Sequence, residues 1–123
     1  MDKNDVYREE ILEHYRHPRN FGVIKAPSLE SCVENPFCGD SICLHLQVDS
    51  KGTVKDVKFK GSGCALSIAS ASLFTQWLQG KTLRQLKKIK PAQMQKLLKA
   101  HIGPARLHCA QLPYTALRKM FDV

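Results

Sequence analysis

The sequence predicts an α+β fold: a small antiparallel sheet with helices packed on one side, plus helices at both ends. Three features of the 123 residues carry this reading. First, Ser41 to Asp49 alternates, with Ile42, Leu44, Leu46 and Val48 facing one way and Cys43, His45 and Gln47 the other, which is the period of a strand. Second, Ser50-Lys51-Gly52 is a turn that leads into a returning run, Thr53 to Lys60, with Val57 and Phe59 inward and Lys58 and Lys60 outward. Strands joined so tightly run antiparallel, and helices must cover one of their faces. Third, the chain after Cys64 reads as a series of helices.

Taken in order, Asp2, Asn4 and Asp5 offer caps for a first helix, with Tyr7, Ile11, Leu12 and Tyr15 on one side. Pro18 stops it, because the residue before a proline is pushed out of the helical region. His14 and His17 lie at its C-terminal end, where a cationic ring suits the helix dipole. Ser31 to Glu34 is a short candidate strand, and Asn35-Pro36-Phe37-Cys38-Gly39-Asp40 breaks the pattern as a loop. Gly61-Ser62-Gly63-Cys64 turns from strand to helix. Its glycines tolerate backbone angles that other residues avoid and leave the sulfur uncovered. Ala65 to Gln79 is helical, small-residued at first and then heavier with Leu73, Phe74, Trp77 and Leu78, and Gly80 ends it. Lys81 to Ile89 is a short basic helix. Pro91 opens another that runs to Ile102 and stops at Gly103. Arg106 to Phe121 closes the chain, with a kink or a restart at Pro113.

Length and composition narrow the class. The chain is expected to form one domain, residues 1–123, large enough to bury a core without disulfide staples. No apolar run reaches membrane-spanning length. The first residues, Met1-Asp2-Lys3-Asn4-Asp5, lack the apolar stretch of a signal peptide and are too acidic for a transit peptide. The sequence therefore reads as a cytoplasmic bacterial protein or a mature organellar form. Five cysteines, an odd number, fit a reducing compartment where thiols persist. The net charge of +8 is lopsided: residues 1–56 hold seven Lys/Arg and ten Asp/Glu, and Val57 to Phe121 hold twelve Lys/Arg and no acid. That basic half is either a solvated surface or a docking face for an acidic partner. The lysines lack interleaved aromatics, which argues against a nucleic-acid binder.

Cys38 with Asp40, Cys64, and Cys109 with His108 sit at three separated bends of the chain. A thiol at a helix start faces the positive end of the dipole, which favours thiolate. His108 and Arg106 stand beside Cys109 and act in the same direction. Three thiolates, a carboxylate and an imidazole select zinc or an iron–sulfur cluster. The spacings match neither a zinc finger nor a ferredoxin. Each cysteine taken singly is as well explained as a small buried hydrophobe. Cys32 and Cys43, inside strands and without flanking glycines, read as packing or exposed strand cysteines.

Asn35-Pro36-Phe37-Cys38-Gly39-Asp40, Gly61 to Ser72, and Arg106-Leu107-His108-Cys109-Ala110-Gln111-Leu112 occur in this order. Together with His14-Tyr15 and Pro18-Arg19-Asn20, they resemble the motifs of the iron–sulfur cluster scaffold family, the IscU/SufU/NifU-like N-terminal domain. The resemblance implies a three-stranded antiparallel sheet with helices on one side. It implies that Cys38, Asp40, Cys64 and Cys109, with His108, surround a transient [2Fe–2S] cluster or Zn²⁺. It further implies a cysteine desulfurase as sulfur donor, Cys109 and Cys38 as candidate sulfur acceptors, and iron–sulfur acceptor or carrier proteins downstream. The implied role is a scaffold rather than an enzyme. A zinc-binding sulfur acceptor of the SufU kind is the alternative, and a basic zinc module for nucleic acid is a remote one. His108 before the third cysteine resembles the IscU branch. Ser67 to Gln76 and Pro104-Ala105-Arg106 lean toward SufU, although the SufU insertion is absent. Where the IscU branch carries a Leu-Pro-Pro-Val-Lys loop for its dedicated chaperone, this chain reads Ile102-Gly103-Pro104-Ala105-Arg106. The resemblance therefore does not carry that chaperone over as a partner.

Overall fold

A computed structural model describes residues 9–35 and 39–121. In chain order these residues form α1 (Glu9–Arg16), β1 (Leu29–Asn35), β2 (Asp40–Val48), β3 (Val54–Ser62), α2 (Ala65–Leu78), α3 (Leu83–Lys87), α4 (Gln93–Leu98) and α5 (Pro104–Phe121). The strands make one antiparallel sheet in the order β1-β2-β3. The predicted class, α+β with a three-stranded antiparallel sheet and helices against it, is the observed one.

The alternation in β2 sets the layers. Ile42, Leu44 and Leu46 are fully buried, as are Val57 and Phe59 from β3. They pack against Ile68, Ala71, Phe74 and Leu78 of α2 and Leu112, Ala116 and Leu117 of α5. The turn after β2 rests on a residue that turn chemistry favours. Asp49 Oδ1 accepts the N–H of Lys51 and of Thr53, each at 2.9 Å. The bond from Thr53 does most to hold the Asp49 carboxyl below its ordinary range. Gly52 supplies the left-handed angle, φ 82°. The outer edge of β3 is covered, since Phe59 N–H reaches Asn20 O at 2.9 Å and Gly22 N–H reaches Phe59 O at 2.8 Å.

α2 is buried on nearly every side, from Leu66 to Thr75 with only Leu73 partly open. This explains its Ala/Ser composition, because the sheet, α1, α4 and α5 all approach it. Small side chains permit that closeness. α1 is held by Ser72 Oγ, which lies 2.7 Å from His14 Nδ1 and accepts the Arg19 N–H at 2.8 Å. Asn20 Nδ2 adds a bond to Thr75 Oγ1 at 3.1 Å. His14 is thus not a cationic cap. It is 7% exposed, and burial first, then the Arg19 charge, lower its pKa from 6.5. Tyr15, expected on the buried side of α1, is 42% exposed. The expected caps Asp2, Asn4 and Asp5, and Tyr7, lie outside the described residues.

Other boundaries moved for identifiable reasons. β1 is longer than expected because each residue from Leu29 to Asn35 finds a partner between Leu46 and Asp40. α3 starts at a capping box, with Gln85 N–H to Thr82 Oγ1 at 3.2 Å and Thr82 N–H to Gln85 Oε1 at 2.9 Å. α4 ends at Leu98, short of Gly103, because Lys99 takes a left-handed angle of φ 54°. α5 neither breaks nor restarts at Pro113; it runs through it, from Pro104 to Phe121. Cys32 and Cys43, read as separate strand cysteines, stand directly opposite each other on β1 and β2 and form a disulfide.

Candidate metal centre

Three of the five residues expected at the site are brought together. The ligand atoms of Asp40, Cys64 and Cys109 all lie within 4.8 Å of one another. They arrive from the start of β2, the N-cap of α2 and the second turn of α5. Two soft sulfurs and one hard oxygen form a mixed donor set that suits zinc or an iron–sulfur cluster. His108 sits beside Cys109 on α5, exposed, and does not belong to the group of three. Cys38 lies outside the described residues.

Asp40 is not the loop residue that the sequence suggests. It pairs with Asn35 as the first residue of β2 and is only 4% exposed. The chain reaches it through Gly39, whose φ of 75° favours glycine and whose N–H bonds Asn35 O at 2.8 Å. A buried carboxylate needs donors, and Ser67 Oγ donates to Asp40 Oδ2 at 2.5 Å.

The two glycines before Cys64 serve space and not special angles, since neither has a positive φ. Gly61 belongs to β3, where a Cβ would fall 2.1 Å from Ser41 O. At Gly63 a Cβ would fall 2.7 Å from Asp40 Cγ. The missing side chain of Gly63 is what lets the carboxylate lie beside the thiol. Cys64 caps α2 without a side-chain cap bond and is exposed, as the sequence reading requires of a usable sulfur.

Ser67 touches all three residues of the group. Besides Asp40, its Oγ lies 3.6 Å from Cys64 Sγ and 3.3 Å from Cys109 O. Pro113 explains the last contact. The carbonyl of Cys109 would normally receive the N–H four residues on, and proline has none. The sequence reading took Ser67 only as a small residue. The available signal was its position, third in a helix capped by Cys64, where a side chain points back toward the helix opening.

Beside the cluster lies a cavity of about 260 Å³ lined by Cys64, Ala65, Leu66, Ala105, Arg106 and Cys109. Cys64 and Cys109 therefore border open volume, and Cys109 also packs against the apolar cluster below. Beneath them Ile11, Leu66, Ala69, Ile102 and Ala110 form a separate apolar cluster that fixes the floor.

Comparison with known proteins places nearly the whole chain in one family. Residues 6–121 match the family described as the NifU-like N terminal domain. The iron-sulfur cluster assembly enzyme IscU of Drosophila melanogaster is 37% identical over 116 residues, which span 92% of this chain and 74% of that protein. The iron-sulfur cluster assembly scaffold protein IscU of Azotobacter vinelandii is 36% identical over 116 residues, 92% of this chain and 89% of that one. Among solved structures, a scaffold protein assigned to the SUF system of Fervidobacterium islandicum AW-1 superposes with a TM-score of 0.82. It covers 98% of this chain and 100% of its own, at 24% identity, and so speaks for the fold alone. By its sequence match over nearly its whole length, the chain belongs to the NifU-like N-terminal domain family.

Proposed function

We propose that this protein is an iron–sulfur cluster assembly scaffold, with Cys38, Asp40, Cys64 and Cys109 around a transient [2Fe–2S] cargo and His108 at its edge. The observation that carries this reading is the convergence of Asp40, Cys64 and Cys109, from three elements, to within 4.8 Å beside an open cavity. The names of the IscU relatives support it.

The donor set suits cargo that must leave. Thiolates match iron–sulfur clusters well, and a carboxylate is a harder, less favourable ligand. Asp40 is the ligand from which release begins. Ser67 holds one of its oxygens by a hydrogen bond and so fixes where the carboxylate stands. Sulfur arrives as persulfide on a cysteine desulfurase. A thiolate of Cys109 or Cys38 attacks the terminal sulfur, the donor's S–S bond breaks, and the donor cysteine departs as thiolate. Reduction of that sulfur to sulfide takes two electrons from a reductant outside this chain. Acceptor or carrier proteins then take the finished cluster.

The test is anaerobic reconstitution with ferrous iron and sulfide, followed by transfer to an apo acceptor. Visible charge-transfer absorption that disappears from this chain as the acceptor gains it is the expected result. Tight zinc with no cluster would instead favour a zinc-bound sulfur acceptor. Asp40→Ala is expected to change the lifetime of the cluster several-fold, and assembly and transfer rates equal to wild type would remove Asp40 from this role.

A further inference from the structure

The scaffold reading makes no use of Cys32 and Cys43, and their surroundings are more than a staple requires. The two residues are directly opposed on β1 and β2, joined Sγ to Sγ across a separation of 11 residues. The strands already close that loop, with Glu30 against His45 on one side of the pair and Glu34 against Ser41 on the other. In the folded chain this pairing holds the two residues opposite each other whether or not the bond is made; the entropy the bond removes is that of the unfolded chain. Both redox states are therefore compatible with the same sheet and register.

The pair borders two cavities, one of about 510 Å³ that includes Val23, Glu30, Cys32, Cys43, His45 and Lys60, and one of about 610 Å³ toward α5 that includes Cys32, Cys43, Thr115 and Lys119. Cys32 is exposed and Cys43 half-buried. On its other side Cys43 is directly opposite Lys60 of β3. The acid facing the first cavity, Glu30, is engaged by His45: Nε2 lies 3.3 Å from Glu30 Oε2, and Nδ1 accepts the Ile24 N–H at 3.0 Å. On the Cys32 side, Glu34 is the next outward residue of β1, and Lys119 Nζ donates to Cys32 O at 2.8 Å. The two sulfurs are thus unequal. One is open to attack, and the other has a lysine beside it to receive negative charge.

We propose that Cys32 and Cys43 form a second chemical site, a thiol–disulfide exchange centre whose substrates are dithiols, separate from the metal centre. A thiolate of the incoming dithiol attacks Cys32 Sγ, the Cys32–Cys43 bond breaks, and the electron pair leaves on Cys43 Sγ beside Lys60. The second thiolate of the dithiol then attacks its own sulfur in the mixed disulfide and displaces the Cys32 thiolate. The dithiol becomes a disulfide, the pair becomes two thiols, and two electrons and two protons have passed to this chain. The reverse steps oxidise it. A neighbouring cation stabilises the leaving thiolate and speeds the first step.

The experiment uses the whole oxidised chain with dithiothreitol, read by differential alkylation and peptide mass mapping. That readout separates Cys32 and Cys43 from Cys38, Cys64 and Cys109, and it involves neither iron nor sulfide, so it is independent of the scaffold reading. Reversible reduction with unchanged far-ultraviolet circular dichroism is expected. A monothiol, reduced glutathione, is expected to be trapped as a mixed disulfide on Cys32. Lys60→Ala is expected to slow the first step about threefold, with Lys60→Arg restoring it. A pair that yields only when the protein unfolds, glutathione trapped on Cys43, or a Lys60→Ala rate equal to wild type would overturn the proposal.

Discussion

Asp40, Gly63 and Ser67 show how single residues set the site. Asp40 is bonded below the surface by the Ser67 hydroxyl and admitted there by the absence of a side chain at Gly63. The effect of Gly63→Ala follows from the geometry. The added methyl would meet Asp40 Cγ at 2.7 Å and Asp40 Cβ at 3.0 Å, and the neighbour it meets is at the start of a strand rather than at the end of a flexible side chain. Overpacking of this kind costs about 1–3 kcal/mol. Urea unfolding of the apo protein is expected to show such a loss, together with weaker metal retention by the zinc-loaded protein in a chelator competition. Wild-type values in both assays would mean that Asp40 moves aside freely and that its position is not fixed by the glycine.

At the scale of elements, α3, the segment after it and α4 carry the charge asymmetry seen in the sequence. Lys88, Lys90 and Lys96 line a groove of about 410 Å³ with Trp77, Ile89 and Lys81, and Lys81 Nζ stands 4.2 Å over the Trp77 ring. Lys87 Nζ lies 5.6 Å from the Phe121 ring centre. None of these lysines makes an ion pair among the described residues. A basic, partly aromatic groove of this kind suits an acidic protein surface. If the proposed cysteine desulfurase docks here, reversing Lys87, Lys88 and Lys90 to glutamate is expected to weaken its binding at least tenfold at low salt, with the difference shrinking as salt rises. An unchanged dissociation constant in calorimetry would place the docking face elsewhere. α5 contributes differently. Pro113 releases the Cys109 carbonyl for Ser67, so a residue that looks disruptive in the sequence ties α5 to α2 at the site.

For the whole molecule, His14 links pH to the packing of α1 on α2. Its pKa is lowered from 6.5, by burial first and then by Arg19, while Glu10 and Glu13 act the other way. The unfolded chain therefore takes up this proton before the folded one. The stability that comes from a neutral His14 is fully present above 6.5 and is lost as pH falls through 6.5 toward the folded value. Unfolding free energy is expected to drop between about pH 7.5 and pH 5.5, and to drop less in His14→Gln. Equal drops in the two proteins would show that another group carries the dependence. The sequence by itself determined the α+β class and the inward faces of β2 and β3, because alternation and turn chemistry are local. It also named Cys38, Asp40, Cys64, Cys109 and His108 as candidates, because three motifs in order resemble those of a known family, although Asp40 opens β2 and Cys109 lies within α5 rather than at a bend. Only the tertiary structure decided the matters that depend on distant segments meeting. These are the burial of His14 against Ser72, the pairing of Cys32 with Cys43, and the space at Gly63 for Asp40. They also include the hydroxyl of Ser67 among residues 27 positions before it and 42 after it. Periodicity reports which way a side chain faces, whereas register and close approach between elements settle what it touches.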